Sequence, residues 1–152
     1  MLKEGDKAPA VVGTSYDGRT FNLGAPGRPT VLFFYPKAAT GGCTTEAKEF
    51  NALYDEFEAL GVQVVGASVD KPEANERWAK KLGLRMPLIS DTGEHPVASA
   101  FGVARPMVGV AKRTTWLIDA DGTLRRVWPK VTPAGHAAEV LAAVREVWGA
   151  GA

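Results

Sequence analysis

The 152-residue sequence contains a single cysteine, Cys43, and only two histidines, His95 and His136. One cysteine cannot form an intrachain disulfide, which excludes a disulfide-stapled secreted scaffold. It also excludes a zinc site built mainly from cysteines. No run of about 18 apolar residues predicts a membrane span, and the first residues lack the apolar stretch of a signal peptide. These absences favour a cytoplasmic protein with no membrane partner.

Neither sign of charge is in excess, because 18 Lys and Arg stand against 17 Asp and Glu. A nucleic-acid-binding domain usually carries a basic excess, so no nucleic-acid partner is expected. Hydrophobic residues make up 45% of the chain and charged residues 23%, as in ordinary soluble globular proteins. Because the chain has no linker or internal repeat, its length predicts a single domain over 1–152.

Strand and helix patterns alternate along the chain. The turn pairs Asp17-Gly18 and Asp121-Gly122 each lie between two strand patterns, so a β-hairpin is predicted near the N-terminus and another in the second half. The continuous β-branched and aromatic run over 30–35 is typical of a strand buried on both faces. The predicted strands cover 11–16, 20–23, 30–35, 62–69, 87–90, 114–118 and 123–128.

Helical spacing of apolar residues predicts one helix over 44–60, ended by the following glycine. Asp70 and Glu73 have the spacing of a capping box at the start of a second helix. A short helix is predicted over 96–101. The last helix is predicted to be capped by Thr132 and to start at Pro133. The resulting order predicts an α/β fold whose central mixed β-sheet is flanked by helices. Its first half is expected to be parallel and its end antiparallel.

Cys43 lies between the buried strand pattern and the helix pattern that follows it. An ordinary cysteine is only about 3% ionised at pH 7, and making the thiolate predominate requires roughly 3 kcal/mol. A helix N-terminus supplies at most about 2 kcal/mol, so a reactive thiolate needs a second cation or donor. The alternative is an inert cysteine that packs as a small hydrophobic residue.

The segment Pro-Lys-Ala-Ala-Thr-Gly-Gly-Cys over 36–43 resembles the peroxiredoxin pattern Pro-x-x-x-Thr/Ser-x-x-Cys. Together with Phe-Tyr-Pro-Lys over 34–37 and Gly-Cys-Thr-Thr-Glu-Ala over 42–47, it is similar to the bacterioferritin-comigratory-protein (PrxQ) subfamily. Further similar segments follow in the subfamily's order at 5–9, 90–91, 101–103 and 113–119. The resemblance covers nearly the whole chain. It implies a thioredoxin-like fold and a thiol-dependent peroxidase that reduces hydrogen peroxide and organic hydroperoxides.

By this resemblance, Cys43 is the peroxidatic residue, whose thiolate attacks a hydroperoxide and becomes a sulfenic acid. Thr40 is expected to hydrogen-bond the sulfur and the peroxide, and Pro36 to shield the sulfur from water. Arg113 is the expected cation beside the thiolate. Without the resemblance, these three residues would be interpreted as a loop threonine, a strand terminator and a surface arginine.

Two further residues complete the implied site. The N–H groups of Gly42 and Cys43 are expected to stabilise the oxygen on which negative charge develops. Glu46 matches a subfamily glutamate that supports the loop, although a glutamate near a helix N-terminus also pairs favourably with the helix dipole. No cofactor or metal is implied.

The sequence departs from the subfamily at three positions. Lys48 and Ala98 occupy the two positions where subfamily members carry a resolving cysteine, so the chain is expected to be a one-cysteine form. An external thiol, from thioredoxin, glutaredoxin or glutathione, is then the expected reductant, and the protein is expected to be a monomer or a weak homodimer. Gly41 replaces the usual proline, which should loosen the loop.

Other cysteine chemistries fit poorly. A phosphatase loop needs arginine where Glu49 stands, and a thioredoxin motif needs a second cysteine at Thr40 or Glu46. A Cys-His hydrolase needs a histidine base, but His95 and His136 are both expected to be solvated. The remaining alternative is a non-catalytic thioredoxin-fold binding module or a peroxide sensor. Such a module could use an exposed docking patch drawn from the tryptophans, although tryptophans are more often part of a core. These residues are Trp78, Trp116, Trp128 and Trp148.

Overall fold

The computed structural model describes residues 2–105 and 109–149, which fold around a central five-stranded sheet. The strands are β1 (Val12–Thr14), β2 (Thr20–Asn22), β3 (Thr30–Phe34), β4 (Gln63–Ser68), β5 (Leu88–Ser90), β6 (Ala104–Arg105), β7 (Val110–Ala111), β8 (Thr114–Ile118) and β9 (Leu124–Trp128). The helices are α1 (Gly41–Ala52), α2 (Tyr54–Ala59), α3 (Pro72–Leu82), α4 (Pro96–Ala100) and α5 (His136–Val144), with π-helical residues Arg145–Gly149 after α5.

The central sheet has the order β5-β4-β3-β8-β9. Strands β3, β4 and β5 run parallel to one another, whereas β8 and β9 join antiparallel. The predicted mixed sheet, parallel first and antiparallel at the end, is therefore confirmed. The N-terminal hairpin of β1 and β2 is also confirmed. Strands β6 and β7 form a further short hairpin that the sequence patterns did not indicate.

Strand β3 lies at the centre of the sheet, and all five of its residues are buried. Successive side chains of a strand point to opposite faces. Phe33 stacks on Phe50 of α1, with ring centroids 4.6 Å apart, while Phe34 packs against Phe101 on the other face at 5.5 Å. The strand thus anchors both apolar clusters, one under α1, α3 and α5 and the other under α4.

The helix predicted over 44–60 is in fact two helices, α1 and α2, and α1 begins at Gly41. The break is at Leu53, whose backbone leaves the helical conformation with φ −97° and ψ 5°. Apolar residues on both sides of the break still face the sheet, so their spacing alone did not reveal it. None of the helices in the described ranges is long and apolar enough to cross a membrane.

Two predicted helix caps are wrong. The residue that caps α3 is Lys71, with Pro72 as the first helical residue, and the Asp70 carboxylate accepts hydrogen bonds from Ala38 and Ser68 instead. Helix α5 begins at His136, and its cap is Gly135 at φ 83° rather than Thr132.

Candidate active site

Cys43 is the third residue of α1, inside the first turn rather than before it. Its side chain is buried, with only 1% of the residue exposed. The first N–H groups of a helix have no partner within the helix. In α1 the first N–H group that donates to a backbone carbonyl is that of Thr44, which bonds the carbonyl of Thr40. The N–H groups of Gly42 and Cys43 are therefore available to a ligand at the helix N-terminus.

Arg113 immediately precedes β8, and the sheet register carries it to the cysteine. Because β8 pairs antiparallel with β3, Thr114 lies opposite Phe34, at the end of β3 where the Cys43 loop begins. The guanidinium Nη2 lies 3.4 Å from Cys43 Sγ, and Nη1 donates to Glu46 Oε1 at 2.7 Å. Burial opposes the charge on Arg113, but the neighbouring charges of Cys43 and Glu46 raise its pKa.

Glu46 lies three residues after Cys43, so both side chains project from the same face of α1. Its side chain is fully buried, and only one of its carboxylate oxygens has a hydrogen-bond partner among the described residues. Burial raises the pKa of Glu46 from 4.5 to about 7, against the lowering effect of Arg113. Of the two interpretations of Glu46, the structure favours support of the active-site loop through Arg113 over pairing with the helix dipole.

The buried Glu46 makes stability depend on pH. Between pH 4.5 and about 7 the folded protein holds a proton that the unfolded chain has lost, so the free energy of unfolding should fall as pH rises. Over that window the loss is expected to approach about 3 kcal/mol. Glu46→Gln should remove it.

Urea unfolding of both proteins at pH 5 and pH 8 measures the effect. The difference between wild type and variant is the quantity to compare, because burial lowers the pKa of His136 and contributes a slope of the opposite sign. An identical pH dependence in the two proteins would contradict the assignment to Glu46.

Thr40 caps α1 with its backbone but not with its side chain. Its hydroxyl donates to the carbonyl of Lys37 at 2.8 Å. A hydroxyl has one proton to donate, so the expected hydrogen bond from Thr40 to the sulfur is not made in this conformation. The oxygen lone pairs remain free to accept from a ligand.

The loop before Cys43 is held by Asp70, for which the sequence predicts only the role of a helix cap. The Asp70 carboxylate accepts from the Ala38 N–H at 2.8 Å and from the Ser68 hydroxyl at 2.7 Å. Ala39, which follows Ala38 in the loop, has φ 67°, a left-handed conformation that costs energy for a residue other than glycine. Asp70 follows β4, the parallel neighbour of β3, and this position at the carboxyl ends of adjacent strands was the available signal.

Gly42 and Pro36 complete the surroundings of the loop. A Cβ atom at Gly42 would lie 3.1 Å from Arg113 Nη2 and 3.4 Å from Pro133 Cγ, so a side chain there would press on the guanidinium. The sequence predicts Pro133 as the start of the last helix, but it precedes α5 and lies beside Gly42. Pro36 is half-buried two residues after the end of β3, and its role in shielding the sulfur stays a prediction.

The expectation that His136 is solvated is wrong. Only 2% of the residue is exposed, Nε2 lies 2.8 Å from Thr115 Oγ1, and Nδ1 lies 3.1 Å from Glu139 Oε1. It is buried because α5 begins at this residue with its first turn packed over β8. His95 is half-buried, with Nδ1 2.6 Å from the carbonyl of Asp91. Neither histidine is hydrogen-bonded to Cys43.

No tryptophan forms an exposed patch. Trp78 and Trp116 are each only 3% exposed, and Trp128 and Trp148 are partly buried against the cluster under α1, α3 and α5. The four tryptophans therefore do not provide a docking surface for a non-catalytic binding module.

The position of Gly41 offers a direct test of the loosened loop. It is the first residue of α1, where proline is favoured, and a Cβ there would meet nothing within 4 Å. Thr40 already has the extended conformation, φ −84° and ψ 159°, that a residue before proline prefers. Gly41→Pro should therefore raise the free energy of unfolding by about 0.4–1 kcal/mol.

Denaturant unfolding of the reduced protein measures this change. Gly41→Ala is the matched control and should also stabilise, because alanine restricts the unfolded chain without strain here. A destabilised proline variant would show that the first turn of α1 does not tolerate the family's usual residue.

Comparisons with known proteins give a coherent result. Residues 4–127 match the model of the AhpC/TSA family. The chain is 38% identical to Peroxiredoxin Bcp of Escherichia coli strain K12, over 95% of this chain and 97% of that protein. The crystal structure of Peroxidoxin BcpB from Mycobacterium tuberculosis superposes with a TM-score of 0.87 at 34% identity, covering 97% of this chain and 99% of the other. A Xanthomonas campestris bacterioferritin comigratory protein, studied for its alkyl peroxide reduction activity, superposes with a TM-score of 0.83 at 35% identity and coverages of 93% and 98%.

Proposed function

The chain belongs to the AhpC/TSA family and is a thiol-dependent peroxidase of the Bcp group, and we propose that Cys43 is its peroxidatic residue. The predicted thioredoxin-like fold is confirmed by the same comparisons. The observation that carries the proposal is the Arg113 guanidinium, which reaches the Cys43 sulfur and Glu46 at once. A non-catalytic binding module would have no use for a half-buried cation held against its one thiol.

The proposed reaction begins with the Cys43 thiolate. The sulfur attacks the terminal oxygen of a hydroperoxide, a sulfur–oxygen bond forms and the oxygen–oxygen bond breaks. Cys43 is oxidised to the sulfenic acid. The departing alkoxide, or hydroxide from hydrogen peroxide, takes a proton and leaves as alcohol or water.

The geometry favours this step at two points. Arg113 stabilises the thiolate before attack, and the free N–H groups of Gly42 and Cys43 stabilise negative charge on oxygen during it. Both act in a site from which most water is excluded, since Cys43 is buried, and electrostatic interactions are stronger there. Glu46 is a positioning residue, because its charge-assisted hydrogen bond fixes the guanidinium in reach of the sulfur.

The sulfenic acid requires a second molecule for its reduction. Cys43 is the only cysteine in the chain. Lys48 is exposed on α1, whereas Ala98 is buried in α4 within the other apolar cluster. An external thiol is therefore proposed to form a mixed disulfide with Cys43, and a second thiol to release the reduced enzyme.

Thr40 is proposed to orient the hydroperoxide. With its proton directed to Lys37, the hydroxyl oxygen can accept a hydrogen bond from the O–H group of the substrate. Thr40→Val removes that contact and should slow the oxidation of Cys43 by roughly 100-fold. Thr40→Ser keeps the hydroxyl and should retain most of the rate.

Stopped-flow measurement of Cys43 oxidation by hydrogen peroxide compares the two variants. Equal rates for valine and serine would show that the hydroxyl has no part in the chemistry. Circular dichroism of both variants controls for loss of the loop, because the hydrogen bond to Lys37 is lost only in the valine variant.

A steady-state peroxidase assay tests the proposed function as a whole. Hydrogen peroxide and an alkyl hydroperoxide are supplied with dithiothreitol, with thioredoxin or with glutathione as the reductant. Turnover that disappears in Cys43→Ser supports the proposal. Turnover that persists in this variant would refute the assignment of Cys43.

A further inference from the structure

A groove rich in positive charge lies beside the active site and has a volume of about 390 Å³. The residues that line this basic groove are Arg105, Lys112, Arg113, Pro129, Lys130, Val131 and Thr132. Four of them are cationic, and no aspartate or glutamate is among the described lining residues. Of the four cations, only Arg113 pairs with a carboxylate among the residues that the structure describes. The net charge of the whole chain is only +1, so this local concentration is unusual.

The basic groove is continuous with the site of the proposed chemistry. Arg113 lines the groove and also places Nη2 3.4 Å from Cys43 Sγ. Pro133, which follows the groove residue Thr132, lies beside Gly42 at the N-terminus of α1. A molecule seated in the groove would therefore adjoin the Arg113 guanidinium, which contacts the sulfur.

We propose that the basic groove binds the carboxylates of a small anionic thiol and thereby selects the reductant of the Cys43 sulfenic acid. The proposal rests on the peroxidase function, because an enzyme that forms a sulfenic acid and has no second cysteine needs an external thiol to reduce it. Unpaired cations that surround an acid-free groove attract anions from solution and raise their local concentration.

The size and the lining of the groove favour a small molecule over a protein thiol. Its volume lies within the range of small-molecule pockets and suits a short peptide. A protein partner usually docks through an apolar patch at the centre of its interface. The groove itself is lined by four cations, one threonine and only two apolar residues, Pro129 and Val131.

The step that follows binding is balanced. The sulfur of the bound thiol attacks Cys43, the sulfur–oxygen bond of the sulfenic acid breaks, and the departing hydroxide leaves as water with the proton of the thiol. The incoming sulfur is oxidised and Cys43 is reduced to a mixed disulfide. A second molecule of thiol then releases the Cys43 thiolate and the symmetrical disulfide of the reductant.

The test compares an anionic thiol with a neutral one. Cys43 is oxidised with one equivalent of hydrogen peroxide, and the loss of sulfenic acid is timed with glutathione, which carries two carboxylates, and with 2-mercaptoethanol. In the double variant Lys112→Glu/Lys130→Glu the ratio of the glutathione rate to the mercaptoethanol rate should fall roughly 10-fold. In the wild type the ratio should fall as salt is raised toward 1 M, where charges are screened beyond about 3 Å.

The control variant Lys80→Glu/Lys81→Glu makes the same change of charge at the end of α3. Its ratio should match that of the wild type. An unchanged ratio in the groove variant, with no effect of salt on the wild type, would overturn the proposal. A second result would also overturn the proposal. If the groove variant lost its preference between a carboxylate-bearing hydroperoxide and cumene hydroperoxide, but kept the wild-type ratio for the two thiols, the groove would serve the oxidant.

Failure of the peroxidase function is distinguishable from failure of the groove. If peroxide leaves Cys43 unmodified, the proposed function is wrong. The groove is then tested alone by nuclear magnetic resonance titration of the reduced protein with S-methylglutathione, which cannot react. Shifts at the groove that are lost in Lys112→Glu/Lys130→Glu support the binding site, and their absence from the wild type overturns it.

Discussion

Replacing Arg113 with methionine is expected to slow the oxidation of Cys43 by hydrogen peroxide by roughly 100- to 1,000-fold. The guanidinium lies 3.4 Å from the sulfur, and its side chain is only 18% exposed, so water does not readily take its place. Methionine preserves much of the side-chain length and apolar packing but loses the charge and both donors. The variant also leaves the buried Glu46 carboxylate without its one partner among the described residues.

Two measurements separate the roles of Arg113. Stopped-flow kinetics give the rate of peroxide reduction, and the rate of alkylation by iodoacetamide at pH 7 reports how readily the thiolate forms. Both should fall in Arg113→Met. Arg113→Lys should recover part of each rate, because an ammonium keeps the charge but cannot reach two partners with the planar fork of arginine. Wild-type rates in the methionine variant would mean that another cation activates Cys43.

The second large effect concerns turnover without a thiol. Because the chain has one cysteine, the protein should consume about one equivalent of peroxide in its first, fast reaction and cannot turn over without a thiol. As the excess of peroxide rises, the unresolved sulfenic acid should oxidise further to the sulfinic acid, which a thiol does not reduce. Activity measured after dithiothreitol is added back should therefore decline with the dose of peroxide given before it.

A designed resolving residue provides the matched comparison. Lys48→Cys restores a thiol at one of the positions where subfamily members carry a resolving cysteine, five residues after Cys43 on the exposed side of α1. Because Cα atoms five residues apart on a helix are separated by about 8–9 Å, beyond the roughly 7 Å that a disulfide spans, the first turns of α1 must unwind for the two sulfurs to meet. With that movement the variant should form an internal disulfide and survive peroxide doses that inactivate the wild type. If wild type and variant lose activity equally, resolution does not limit the survival of the enzyme.

The sheet was predictable because its central strands carry unbroken apolar or β-branched runs. The 30–35 and 114–118 patterns agree with β3 and β8 to within one residue. The break at Leu53 was not predictable, since the apolar spacing continues across it and only the backbone conformation changes. Asp70 had the spacing of a helix cap, but its carboxylate accepts from the Ala38 N–H and the Ser68 hydroxyl instead. Ser68 is two residues away, whereas Ala38 is 32 residues away and is brought near only by the folded sheet.

Some residues of the active site were likewise predictable from the sequence, and others were not. Cys43 and Thr40 lie in one continuous motif, so the resemblance identified them directly. Arg113 is 70 residues from Cys43, and no local spacing relates the two; the antiparallel pairing of β8 with β3 brings them together. The burial of Glu46 and His136 depends on how α1 and α5 pack on the sheet, which their positions in a first or second helical turn do not reveal.

Intact-mass spectrometry after one equivalent of hydrogen peroxide tests the central claim, that Cys43 is oxidised by peroxide and has no internal thiol to resolve it. The reduced protein is treated without any thiol, in the presence and absence of a sulfenic-acid trap, beside Cys43→Ser. A monomer that gains one oxygen atom at Cys43, or one trap adduct when the trap is present, is the predicted result. An unmodified Cys43 with the peroxide left unconsumed would contradict both the role of this cysteine and the one-cysteine mechanism.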